Sequence, residues 1–97
     1  MARNDDVTLV ANIWTQLTNA NAAAIRVANA GVSSVLLKAT SGVAAPTNTT
    51  GSIVLNSGET LAADLTLAQL WPGVAGANRL WALSGTNSTV SVSHADA

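Results

Sequence analysis

The chain has no cysteine, no tyrosine and no phenylalanine, and only 9% of its residues are charged. Without cysteine there is no disulfide to staple a fold and no thiolate to hold a metal, so apolar burial must stabilise the domain. Cysteine usage also leaves the redox compartment open. Four basic residues, Arg3, Arg26, Lys38 and Arg79, are scattered among five acidic ones. A nucleic-acid footprint requires a basic patch that neutralises successive phosphates, and single-strand binders add stacking aromatics; neither pattern is present, so no nucleic-acid partner is expected.

Long hydrophobic runs are missing as well. Asn, Thr, Ser and Gly interrupt every apolar stretch well short of the roughly 18 residues a membrane helix needs, so no membrane partner is expected. The opening Met1-Ala-Arg-Asn-Asp-Asp6 is polar and acidic. It lacks the apolar core of a signal peptide, which predicts a protein made in a cytoplasm.

What remains is short and apolar: 97 residues, 48% hydrophobic, with alanine supplying much of that share. One core fits this length, and a chain so small buries only about 60–65% of its unfolded surface. The sequence therefore predicts a flexible N-terminal arm over residues 1–6 and a single β domain over 7–97. Association with other chains would supply stability that the core alone does not.

Period-two patterning predicts an all-β domain, a small sandwich or barrel of about seven to eight short antiparallel strands. Residues 7–10 and 13–17 alternate apolar with polar and are separated by Ala11-Asn12. Residues 22–29 carry an alanine run that favours helix by propensity, but Ile25 and Val27 flank Arg26 in strand phase, and Asn29-Ala-Gly31 reads as a turn. A hairpin with residues 33–40 follows from that turn. Residues 41–51 have no period and form the longest loop; 52–55 are a short apolar strand, and Gly58 supplies a positive φ in the next turn. Thr66-Leu-Ala-Gln69 has capping-box spacing, which predicts one helical turn near 66–71, ended by Pro72-Gly73. Residues 79–83 and 89–93 are expected to close the domain as a hairpin.

Catalytic chemistry has little to build on. The single imidazole, His94, is expected on a solvated tail rather than held against a nucleophile. Of the carboxylates, Asp5, Asp6 and Asp96 lie near the termini, Glu59 fits a turn and Asp64 lies near the short helix. A glycosidase pair facing across a cleft is therefore not expected. No spacing of His, Cys or acidic residues suits zinc or calcium, and no glycine-rich phosphate loop occurs. Neither an enzyme nor a cofactor is expected. Asn48-Thr-Thr50 and Asn87-Ser-Thr89 fit a glycosylation sequon but read more simply as loop residues. Trp14 and Trp81 lie in alternating strands and are expected in the core. Trp71, at the helix exit, is expected either to close an open end of the sandwich or to project towards a partner.

The run Leu67-Ala-Gln-Leu-Trp-Pro-Gly-Val-Ala-Gly76, with Arg79-Leu-Trp-Ala82 and Thr89-Val-Ser-Val-Ser-His-Ala95, resembles small virion proteins of tailed bacteriophages. These are accessory head proteins of the decoration or cement type. The resemblance loosely takes in Val7-Thr-Leu9 and Trp14-Thr-Gln-Leu-Thr18 as well, and its motifs are structural. It implies a sandwich or barrel subunit, commonly a trimer, at threefold positions on the capsid exterior of the virion, binding the major capsid protein. Arg3, Asp5 and Asp6 in the arm, with Trp71 and Pro72, are then the candidate interface residues. Two other readings remain open: a head-fibre base or neck or tail component, and a carbohydrate-binding module using Trp71 with the Asn/Thr loops.

Overall fold

Alternation in the sequence becomes alternation of burial. In the computed structural model, which describes residues 2–95, eight strands and one helical turn are assigned in the order β1 (Arg3–Leu9), β2 (Thr15–Gln16), β3 (Arg26–Asn29), β4 (Val35–Thr40), β5 (Ile53–Leu55), β6 (Thr60–Leu61), α1 (Leu67–Leu70), β7 (Arg79–Leu83) and β8 (Ser88–His94). Expectations for Met1 and for the Asp96 carboxylate fall outside the described residues. β4 buries Val35, Leu37 and Ala39 and turns the residues between them outward, while β8 does the same with Val90, Val92 and His94.

The strands form two antiparallel four-stranded sheets, ordered β1-β8-β3-β6 and β2-β7-β4-β5; we call them sheet A and sheet B. First pairs with last throughout: β1 with β8, β2 with β7, β3 with β6 and β4 with β5. The chain is thus one long hairpin wound upon itself, which is the eight-stranded jelly roll, an all-β sandwich. Between the sheets lie Leu9, Leu17, Ile25, Val27, Leu37, Leu67, Leu80 and Val92, all essentially without solvent contact. Each such side chain contributes roughly 1.5–3 kcal/mol by leaving water.

This winding corrects two expected hairpins. β3 lies in sheet A and β4 in sheet B, and β7 and β8 are likewise split between sheets. Turn residues mark where a strand ends; they do not specify whether the next strand pairs beside it or crosses to the other sheet. Among the described residues, the only consecutive strands that pair are β4 and β5, joined by the long loop. β6 is a two-residue strand with no period of its own, and the sequence pattern does not predict it.

The N-terminal boundary is also corrected. β1 begins at Arg3 and stays in register with β8 from Arg3↔His94 to Leu9↔Ser88, so residues 3–6 belong to the sheet and not to an arm. Charged side chains disguise that segment, since an edge strand can carry Asp where a central strand would not. Asn12 ends the first excursion at φ 63°, a left-handed conformation Asn tolerates, and its N–H donates to the Ser84 carbonyl at 2.7 Å.

The helical turn forms as its spacing predicts. The Gln69 N–H donates to Thr66 Oγ1 at 3.1 Å, and the Thr66 N–H donates to Gln69 Oε1 at 2.8 Å. Leu67 from this turn and Trp71 just beyond it both enter the core.

Candidate functional site

The two outward faces of the sandwich differ in kind. Register places Asp6, Ser91, Ala28 and Thr60 side by side across the outside of sheet A, with Asn4, Ser93 and Arg26 in the adjacent row. That face is polar, and Arg26 Nη2 donates to Ser91 Oγ across it at 3.3 Å.

Across the outside of sheet B the row is instead Leu83, Leu36 and Val54. Leu36 and Leu83 are only partly covered, Val54 is 54% exposed, and none of the three belongs to the core cluster. The pleat continued one residue back from Thr15 puts Trp14 on the same face, also half-buried and also outside the core. In the neighbouring row Trp81 stands between Gln16 and Lys38.

Trp14 and Trp81 both miss the expected place between the sheets, although Trp81 is buried at 7% exposure, and of the two roles expected of Trp71 the projecting one is excluded. Trp14 and Trp81 lie on the outer face of sheet B. Trp71 is 6% exposed, packs in the core and donates from Nε1 to the Gly51 carbonyl oxygen at 2.9 Å. It is not available as a flat sugar-stacking platform or as a projecting anchor, while Pro72 beside it is exposed. The misplacement arises because β7 reads Arg-Leu-Trp-Ala-Leu, with large apolar residues in both phases. Leu80 and Ala82 take the inner phase and leave Trp81 outside.

Trp81 is nonetheless well covered. Its Nε1 donates to Thr40 Oγ1 at 2.9 Å. Lys38 Nζ beside it reaches Asn48 Oδ1 at 2.7 Å and the Asn48 carbonyl at 3.3 Å, which fastens the long loop over this part of the sheet. Arg79 continues the polar end of the face by donating to Gln16 Oε1 and Asn21 Oδ1, each at 3.0 Å. The face thus grades from a hydrogen-bonded end at Arg79 and Lys38 to an apolar end at Trp14, Leu83, Leu36 and Val54.

Of the expected interface residues in β1, Arg3 is largely engaged within the fold. Its Nη1 donates to the Leu17 carbonyl at 3.1 Å, and Nε lies 3.6 Å from Asp5 Oδ2. Asp5 and Asp6 are exposed. His94, expected on a solvated tail, is the last residue of β8 and is 6% exposed. Its Nδ1 lies 3.0 Å from the Ala95 carbonyl oxygen, while Nε2 is buried without a partner. The ring lines a shallow cavity of about 420 Å³ with Arg26, Ser93 and several alanines.

Glu59 takes the turn role expected of it, accepting from the Asn56 N–H at 2.7 Å, and Asp64 is exposed. No cluster of three or more His, Cys, Asp or Glu that could hold a metal ion occurs among the described residues. No helix is long and apolar enough to cross a membrane among those residues. Comparison with protein-family models, curated proteins and solved structures finds no match for this chain.

Proposed function

We propose that the chain is a structural accessory protein of a tailed-phage head, of the decoration or cement type, that seats on the assembled shell as a trimer at threefold positions and stabilises it. One observation carries this reading beyond the family resemblance: sheet B is patterned to be covered on both sides, yet this chain covers its outer side only at the Trp81 end and leaves Trp14, Leu36, Leu83 and Val54 partly open. Its strands read Val-Leu-Leu, Ile-Val-Leu and Leu-Trp-Ala-Leu, apolar in both phases, whereas β8 of sheet A alternates strictly with Ser and Thr. Continuous apolar strands belong to sheets buried on both faces.

A second protein surface laid on Trp14, Leu36, Leu83 and Val54 would complete that pattern. Each Å² of apolar surface so removed from water contributes about 25 cal/mol before the costs of association. Threefold repetition turns modest contacts into firm attachment through avidity. Binding to the assembled shell but not to its unfolded subunits adds directly to shell stability. The chain's low charge keeps repulsion between crowded copies small. By analogy, jelly rolls are recurrent in viral capsids, though they also serve lectins and cupins.

The test is co-sedimentation of the purified protein with heads of the phage that encodes it, followed by imaging. The expected result is saturable binding, density at threefold positions of the shell, and a higher disruption temperature for decorated heads. Copies confined to the tail vertex would overturn the shell reading in favour of a neck, tail or fibre-base component. Absence from the virion together with saturable glycan binding would overturn it in favour of a carbohydrate-binding module.

A further inference from the structure

The long free edge of β1 is a second interaction surface, independent of the face of sheet B. Asn29 in β3 directs both its backbone N–H, to the Glu59 carbonyl, and its carbonyl, from Gly58 N–H, towards the β6 side. Backbone groups alternate sides along a strand, so Ala28 and Arg26 bond towards β8, and their partners Ser91 and Ser93 bond back towards β3. Val90, Val92 and His94 consequently bond towards β1, where they meet Val7, Asp5 and Arg3. That leaves the N–H and C=O groups of Asn4, Asp6 and Thr8 pointing away from the sheet.

These three residues are exposed, and no backbone hydrogen bond among the described residues uses their outward groups. They repeat at about 6.8 Å, the two-residue rise of an antiparallel strand, and so form a ready template for one more strand. The other sheet edges are much shorter: β6 and β2 have two residues each and β5 has three.

Charge says which strand fits. Asp6 projects on the outer face of sheet A and Asp5 on the inner side, both at the exposed edge. If two copies paired through β1 about a twofold axis, the register of greatest overlap would set Asp6 against Asp6. Like charges directly opposite destabilise a strand pair. A strand with two consecutive basic residues would instead place one cation beside each carboxylate.

We infer that the free edge of β1 accepts an extended segment of a neighbouring protein chain carrying adjacent Lys or Arg residues opposite Asp5 and Asp6. It rests on the proposed function only for the segment's owner, which would then be a shell subunit. Main-chain hydrogen bonds to Asn4, Asp6 and Thr8 supply attachment, and the carboxylates supply selectivity and register.

The probe is a short synthetic peptide with a central Lys-Lys flanked by Val and Thr, and a control with Glu-Glu in place of Lys-Lys. Amide hydrogen exchange is read by NMR. The basic peptide is expected to slow exchange at Asn4, Asp6 and Thr8, and the acidic one to leave it unchanged. Asp6→Pro, which removes an outward N–H but no bond of the sheet, should abolish that protection and weaken head binding at least tenfold. Asp6→Lys keeps every backbone donor and should do the same, so it decides the matter should the proline variant fail to fold. Equal protection by both peptides, or by neither, would overturn the inference. Heads that bind while the β1 edge still exchanges freely would overturn it and leave the function standing. Protection by the basic peptide without head binding would sink the function and leave the strand acceptor.

Discussion

The Asn29 side-chain amide donates to the Leu55 carbonyl oxygen at 3.0 Å, a hydrogen bond that joins a strand of sheet A to a strand of sheet B through the interior. The same Nδ2 donates to the Ser33 carbonyl at 2.8 Å, and Oδ1 accepts from the Gly31 N–H at 3.0 Å. A residue that looks like a turn former in the sequence thus fixes the crossover between the sheets from inside.

Asn29→Ala should cost about 3 kcal/mol, because each buried polar group left without a partner costs about 1–3 kcal/mol. Asn29→Asp should be worse at neutral pH, since it points a carboxylate at two carbonyl oxygens. Urea unfolding monitored by circular dichroism measures both. An alanine variant within 0.5 kcal/mol (on the order of a neutral surface change) would show that the crossover does not depend on this side chain.

Trp71 offers a cleaner separation of packing from hydrogen bonding. Trp71→Ala should lose about 3–5 kcal/mol, as expected for emptying a large core site. Trp71→Phe retains much of the apolar volume but leaves the Gly51 carbonyl without its indole donor, and should cost about 1–2 kcal/mol for the bond plus the lost ring volume. Equal destabilisation by the two substitutions would mean that the hydrogen bond to Gly51, and not the ring, holds the end of the long loop in place.

Thr66 and Gln69 satisfy each other's backbone N–H groups around a single helical turn. Thr66→Ala should cost about 0.5–2 kcal/mol. Gln69→Ala should cost less, and the double variant should cost less than the sum, because either change alone breaks the reciprocal arrangement. Strict additivity in denaturant unfolding would refute that coupling.

The strands and the capping box are legible in the sequence because each depends on nearest neighbours: Val35, Leu37 and Ala39 in one phase, Thr66 and Gln69 three residues apart. What is not legible depends on the partner across a gap. Residues 79–83 and 88–94 are two good strands separated by turn residues, and nothing in that local pattern distinguishes a hairpin from a crossover. The edge position of β1 is hidden by Asp5 and Asp6, which look like a solvated arm. The apolar outer row does leave a signal. Leu36, Val54 and Leu83 sit in the wrong phase for a sheet with one wet face, a departure that the residue pattern carries by itself. Trp81 is buried on the outer side of its sheet rather than between the sheets, because β7 is apolar in both phases and its pattern does not say which phase faces inward.

The tryptophan arrangement makes a prediction that needs no substitution to begin with. The indole N–H groups of Trp71 and Trp81 are hydrogen-bonded to the Gly51 carbonyl and to Thr40 Oγ1, each at 2.9 Å, and both rings are buried. Their exchange with solvent should be slow, while that of half-buried Trp14, at the open end of the face, should be the fastest of the three. Asn48→Ala removes the shorter of the two bonds from Lys38 and loosens the loop over sheet B, so it should speed exchange at Trp81 more than at Trp71. Seating the face on a partner should then slow Trp14 selectively. NMR of the indole resonances reads all of these changes, and a Trp14 signal that does not respond on particles which bind the protein would place the contact elsewhere than on this face.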